Sequence, residues 1–219
     1  QVARAVQLSQ AVARSAIYSE LDLDVLSAVT PLRVLRTRAE SKSAHLSSPE
    51  LGTRLADEDA ARLRAEPYPI QIVISDGLSA EAVHHNLPDL LPPLLDGLHA
   101  RGLAHGMPML VRYGRVKLAE ELQAKLGAQL VVMLIGERPG GDVQASRSLS
   151  AYLAYSPHSA PAAATISARS GLEYSVISNI YSGGLPPLEA AAVLVEKISQ
   201  IFAQGAAGNR LEELLTQQG

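Results

Sequence analysis

The sequence predicts an α/β protein: a doubly wound, mainly parallel, Rossmann-like sheet with a helical N-terminal extension. Three observations carry that prediction. From Pro69 onward, short β-branched runs alternate with helical runs, the order expected of βαβ units. Leu130 to Ile135 is uniformly apolar, as a central strand covered on both faces should be. The hydrophobic fraction is 47% and the aromatic fraction only 4%, so the core must be aliphatic. With 219 residues the chain can bury such a core without a cross-link.

Val2 to Leu26 is rich in Ala, Val, Leu and Arg and only loosely periodic; it reads as helical. Leu32 to Arg38 alternates apolar and basic residues, the period of a half-buried strand at a sheet edge. Ser47-Ser48-Pro49-Glu50 has capping-box spacing with proline in the first turn, which predicts a helix running to about Ala65. Glu66-Pro67-Tyr68-Pro69 is a junction, dividing an extension over 1–66 from a main domain over 67–219. Ile70 to Ser75 is the first strand of that domain. Leu90, Leu91, Leu94, Leu95 and Leu98 mark a helix that begins after Pro88 and stops at Gly102. Met107 to Arg112 is a strand, and Leu118, Leu122 and Leu126 mark a helix ended by Gly127. Strands follow over Leu130 to Ile135, Leu149 to Tyr155 and Tyr174 to Ile180, with Ala160 to Ser170 read as a loop. Pro186-Pro187 opens a final helix, carried by Leu188, Ala191, Val195, Ile198 and Phe202, before Gly205.

Bulk properties exclude several functions. A net charge of −3, with no Lys/Arg run interleaved with aromatics, argues against a nucleic-acid partner. The absence of cysteine removes disulfides, thiolate metal sites and a Cys nucleophile, and makes a reducing cytosol the default. No stretch approaches the ~18 consecutive apolar residues of a membrane span, and the first residues lack an export pattern.

Chemistry is expected where the strands end, because parallel sheets bind ligands outside their carboxyl edge. The successive strand ends read Ser75-Asp76-Gly77, Arg112-Tyr113-Gly114-Arg115, Gly136-Glu137-Arg138-Pro139-Gly140-Gly141 and Ser178-Asn179-Ile180-Tyr181-Ser182-Gly183-Gly184. Any single turn after a strand contains glycine and polar residues. Four together point to a binding rim.

Familiar motifs fail at that rim. Gly136 to Asp142 has the glycine spacing of a phosphate loop, but Asp142 stands where the lysine belongs. No G-x-G-x-x-G follows a strand, and Gly77-Leu78-Ser79-Ala80-Glu81 lacks the second glycine of a nucleophile elbow. His84 and His85 point about 100° apart on a helix, so they read as surface or partly packed residues rather than joint metal ligands. Asp96-Gly97-Leu98-His99-Ala100-Arg101-Gly102 contains His-x-x-Gly, but its Asp is one residue too distant for the cobalamin motif Asp-x-His-x-x-Gly; it reads as ordinary helix and cap.

Five segments in order carry a resemblance. Val73-Ile74-Ser75-Asp76-Gly77-Leu78-Ser79, Val111 to Val116, Leu134 to Gly140, Ser148-Leu149-Ser150-Ala151-Tyr152, and Ile177-Ser178-Asn179-Ile180 with Gly183-Gly184 resemble the small subunit of ethanolamine ammonia-lyase. The similarity runs from about Leu32 to Gly208. It implies an adenosylcobalamin-dependent radical lyase of a large barrel subunit and this small one, a hetero-oligomer converting ethanolamine to acetaldehyde and ammonia. Cobalt–carbon homolysis would generate an adenosyl radical that abstracts hydrogen from substrate, and the amino group would migrate before ammonia leaves.

The cofactor would keep its own dimethylbenzimidazole on cobalt, in keeping with the missing histidine motif, and would sit between the subunits. Substrate contacts would lie on the large subunit, so no catalytic or metal-ligating residue is expected on this chain. Carried over by motif, Val116 would lie against the corrin, Glu137 would accept hydrogen bonds from corrin amides, and Val176 would supply the third contact. Some relatives carry cysteine at the position of Val176, which leaves this residue to act through bulk or backbone. The resemblance implies a cytoplasmic complex and suggests enclosure in a bacterial microcompartment.

Plainer roles stay open from the residues themselves. Glu137 could pair with Arg138 or Arg115, and Val116 could simply pack at a helix start. Two other functions compete: a stand-alone Rossmann-type nucleotide-dependent enzyme, and a non-enzymatic scaffold module.

Overall fold

The computed structural model describes residues 19–137, 147–157 and 171–218. Within them one six-stranded sheet organises the chain, in the spatial order β1-β3-β2-β4-β5-β6. The strands are β1 (Arg33–Arg36), β2 (Ile70–Ser75), β3 (Met109–Arg112), β4 (Leu130–Gly136), β5 (Leu149–Tyr155) and β6 (Glu173–Ile180). The described helices are α1 (Leu23–Ser27), α2 (Lys42–Ser47), α3 (Asp57–Arg62), α4 (Ala80–Ala100), α5 (Leu118–Leu126), α6 (Pro187–Gln204) and α7 (Gly208–Thr216).

Pairings β1/β3, β2/β3 and β2/β4 are parallel. The α/β class and the mostly parallel sheet agree with the sequence. β4/β5 and β5/β6 are antiparallel, so the βαβ alternation expected beyond Pro69 holds only as far as β4. β1, the expected edge strand, joins the same sheet as the strands beyond residue 67. The helical expectation before residue 19, the glycine-rich loop from Arg138 and the loop over 160–170 lie outside the described residues.

Period-two alternation divides the core. Ile70, Ile72 and Ile74 of β2 pack with Leu87, Leu90, Leu91, Leu94 and Leu98 of α4 and with Leu194, Ile198 and Ile201 of α6. Val73, Met109, Val111, Val131 and Met133 face the opposite way, against Leu118, Leu122 and Leu126 of α5. Every residue of β2 and β4 is buried, which accounts for the unbroken apolar run in β4. Gly127 and Gly205 end α5 and α6 in the left-handed conformation, as their positions predicted.

Three helix expectations need correction. The helix expected from Ser47 to Ala65 is two pieces, a 3₁₀ turn over Pro49–Thr53 and α3, because Leu55 between them bridges to Thr37 and donates its N–H to Glu121. The helix expected after Pro88 starts at Ala80, where Ser79 accepts a hydrogen bond from the Ala82 N–H, and it runs through Pro88, Pro92 and Pro93. Complete burial of Val83, Leu87, Leu90, Leu91, Leu94 and Leu98 outweighs the hydrogen bonds those prolines forgo. Finally, α6 is followed by α7, which buries Leu211 in the α4-side core.

Candidate functional site at the strand-end rim

Register brings the four strand ends to one edge. Ser75 and Ile135 are paired, Arg36 lies opposite Arg112, Gly136 lies opposite Leu149, and Leu149 opposite Ile180. The start of antiparallel β5 and the end of β6 therefore reach the edge where β1 to β4 finish. A bulge helps: between Ala151/Ile177 and Leu149/Ile180, β6 carries one extra residue, and Asn179 takes a positive φ of 60°.

In the β1-β3-β2 part of the rim the crevice between β2 and β3 is filled, while the ends of β1 and β3 line an open pocket with Arg36, Arg38, Arg112 and Tyr113. Ser41 caps α2 by accepting from the Ala44 N–H, and α2 then drives Lys42 into the crevice between β2 and β3. Lys42 Nζ lies 2.7 Å from Asp76 Oδ2 and donates to the Gly77 carbonyl at 3.0 Å. Both charges are almost wholly buried, Lys42 at 4% and Asp76 at 1% exposure. The other Asp76 oxygen accepts from the Tyr113 N–H at 2.6 Å, while Ser75 Oγ accepts from the Gly114 N–H at 2.8 Å. These bonds hold Tyr113 at φ 58°, a conformation rarely occupied by an aromatic residue. The Tyr113 hydroxyl donates to the Glu20 carboxylate, at 2.7 Å from one oxygen; burial and then Glu20 push its pKa well above the usual tyrosine value. His45 is fully buried beside this network, and no hydrogen bond of normal geometry reaches either ring nitrogen among the described residues. Burial, reinforced by Arg115, lowers its pKa to about 4.

Sequence reasoning missed Lys42 and His45. Their spacing of three residues after a serine cap was the available signal, since it sets both on one side of a helix.

The β4-β5-β6 end is different. Glu137 continues β4, its N–H donating to the Ser148 carbonyl at 3.0 Å, and its side chain is half-buried. The Tyr152 hydroxyl donates to Glu137 Oε1 at 2.9 Å. Tyr152 lies opposite Val176 in the ladder, so the two side chains share a face, and Val176 is 48% exposed. Burial, then the Glu137 charge, pushes the Tyr152 pKa up to about 12, which keeps its proton available to donate.

The structure thus links Glu137 and Val176 through Tyr152. Val116 stands apart, half-buried in the turn that enters α5, where its carbonyl accepts from the Ala119 N–H. Arg115, one suggested partner of Glu137, instead donates to the His45 carbonyl at 3.2 Å.

Other sequence candidates resolve simply. His84 accepts a hydrogen bond from the Asp22 N–H at 2.9 Å, and exposed His85 contacts the Glu81 carbonyl of its own helix. Asp96 and His99 lie on α4, with Gly102 just past its end. Among the described residues no three His, Cys, Asp or Glu side chains cluster as metal ligands, and no helix is long and apolar enough to cross a membrane.

The family model of the ethanolamine ammonia-lyase light chain matches residues 1–212 of the 219. The chain belongs to this family. Its light chains are subunits of a lyase, and a light chain implies a heavier partner. For this light chain, the match extends across β1 to β6 and both ends of the rim.

Proposed function

We propose that the β4-β5-β6 end of the rim forms one wall of the adenosylcobalamin site of ethanolamine ammonia-lyase, with the large subunit supplying the other wall and the substrate contacts. The observation that carries this proposal is the carboxylate of Glu137, anchored by Tyr152 beside exposed Val176. A corrin is a flat apolar ring fringed by amide side chains. Glu137 is an acceptor for such amides, and its second oxygen takes no hydrogen bond from the described residues. Val176 and the Tyr152 ring offer apolar surface next to it. This donor and surface set fits the cofactor.

Bound adenosylcobalamin supplies the radical chemistry that converts ethanolamine to acetaldehyde and ammonia. This chain's own residues bind and orient: Glu137 holds corrin amides, while Val116 and Val176 exclude water from the ring edge. The framework for this role is a doubly wound, Rossmann-like unit over 67–219, with 1–66 as its extension. The complex is a cytoplasmic hetero-oligomer, associated with a microcompartment. A self-sufficient nucleotide enzyme would use the switch point between β2 and β4, where the backbone of Asp76 and Ser79 lies hard against Gly136.

Mixing the purified chain with the large subunit and adenosylcobalamin tests the proposal. Ethanolamine-dependent ammonia release is expected only with both chains; release by this chain alone refutes it. In the same complex, Glu137→Ala should weaken cobalamin binding about 10- to 100-fold in a spectrophotometric titration, with thermal unfolding unchanged. Unaltered affinity removes Glu137 from the site.

A further inference from the structure

We infer that Tyr152 is a positioning residue for cobalamin, setting the Glu137 carboxylate so that its second oxygen faces the ligand. This rests on the cofactor role proposed for Glu137 and adds a residue to it.

Three features single out Tyr152. First, its hydroxyl and Glu137 Oε1 are 2.9 Å apart, a good distance for a hydrogen bond to a charged acceptor. Second, the ring is held by the sheet itself. Tyr152 lies opposite Met133 on one side and Val176 on the other, and it packs against the core formed with α5. A donor mounted between two strands has little freedom to follow a wandering carboxylate. Third, the backbone of Glu137 is tied to β5 by its own N–H to the Ser148 carbonyl, so only the side-chain torsions remain to be set. The Tyr152 hydroxyl sets them.

The consequence is orientation rather than charge. A glutamate at the end of a strand samples several rotamers, and each one lost on binding costs affinity. With Oε1 engaged by Tyr152, Oε2 is the oxygen left for the ligand. Val176, across the ladder from Tyr152, then lies beside that oxygen's supporting ring, so one side chain couples the polar and apolar contacts of the wall.

A double-mutant cycle on the complex with the large subunit tests this, read by adenosylcobalamin titration. Tyr152→Phe keeps the ring and removes the hydroxyl. It should weaken binding about 5- to 10-fold in the wild-type background. In the Glu137→Ala background it should have no further effect, since the hydroxyl acts only through the carboxylate. An equal penalty in both backgrounds overturns the inference, because the hydroxyl would then act elsewhere. No penalty for Tyr152→Phe, with Glu137→Ala still defective, overturns it too while leaving the cofactor role of Glu137 intact. If neither substitution changes affinity, the cofactor role itself falls.

Discussion

At the scale of single residues, the rim contains two kinds of buried polarity. Lys42 and Asp76 satisfy each other and also bond the Gly77 carbonyl and the Tyr113 N–H. Breaking such a pair from one side leaves an unpaired buried charge, typically a loss of about 3–5 kcal/mol. His45 is the contrary case, a buried ring without a well-formed hydrogen bond, held neutral by burial and by Arg115. Its pKa of about 4 lies below the ~6.5 of an unfolded histidine, so between those values the unfolded chain binds the extra proton. Stability from this group is fully present above about pH 6.5 and is lost as pH falls toward 4. Urea unfolding at pH 7 and pH 4.5 should therefore show a smaller acid loss in His45→Phe than in wild type, by about 2 kcal/mol. Equal acid losses would mean that His45 is protonated in the folded state. Neither residue was legible as a site from sequence, because a lysine and a histidine near a serine cap look the same on a solvated helix as on one driven into a crevice.

Elements meet at the rim through close backbone contacts. Gly136, the last residue of β4, passes against the turn between β2 and α4; an added Cβ would overlap the Ser79 carbonyl oxygen and lie 2.5 Å from that of Asp76. Both neighbours are backbone, so neither can swing away. Gly136→Ala is expected to cost about 3 kcal/mol, a fall in Tm of roughly 6–12 °C. Gly127 makes the contrast: its φ is 73° but nothing lies within 4 Å, so alanine there should cost only the strain, about 1 kcal/mol. Calorimetry of both variants checks this, and equal shifts would show that the backbone facing Gly136 yields to the added Cβ. Glycine stops for α5 and α6 could be predicted because a helix end is a local event. The start of α4 could not: Pro88 suggests a first turn, yet burial of Ala82, Val83 and Leu87 extends the helix back to Ser79.

Across the whole molecule, α7 shows where the free energy lies. Arg210 contacts Glu173 at 2.6 Å and Lys197 contacts Glu212 at 2.8 Å, but each pair is partly exposed. Leu211 is fully buried in the core shared with α4 and α6. Leu211→Ala should destabilise the chain by about 2–4 kcal/mol, whereas Arg210→Ala, which removes a solvent-screened pair, should cost much less. Denaturant midpoints measured for both decide it, and the reverse order would mean that charge holds the helix. The same weighting bears on the sheet: its central strands β2 and β4 are covered on both faces, while on the α5 face Tyr152, Tyr174 and Val176 keep part of their surface toward solvent. That opening makes the β4-β5-β6 end, rather than the filled crevice at β2 and β3, available to a partner.

Patterns of period two and 3.6, glycine stops and unbroken apolar runs determined by themselves that this is an α/β chain with strand ends gathered at a polar edge, because those signals are local and the hydrophobic effect reads them directly. Only tertiary structure decided which part of that edge is closed. Strand order places β2 and β3 side by side, lets α2 insert Lys42 and His45 between their ends, and turns β5 antiparallel so that Tyr152 reaches Glu137. Those contacts join residues far apart in sequence, and no periodicity along one segment specifies which neighbour another segment will bring.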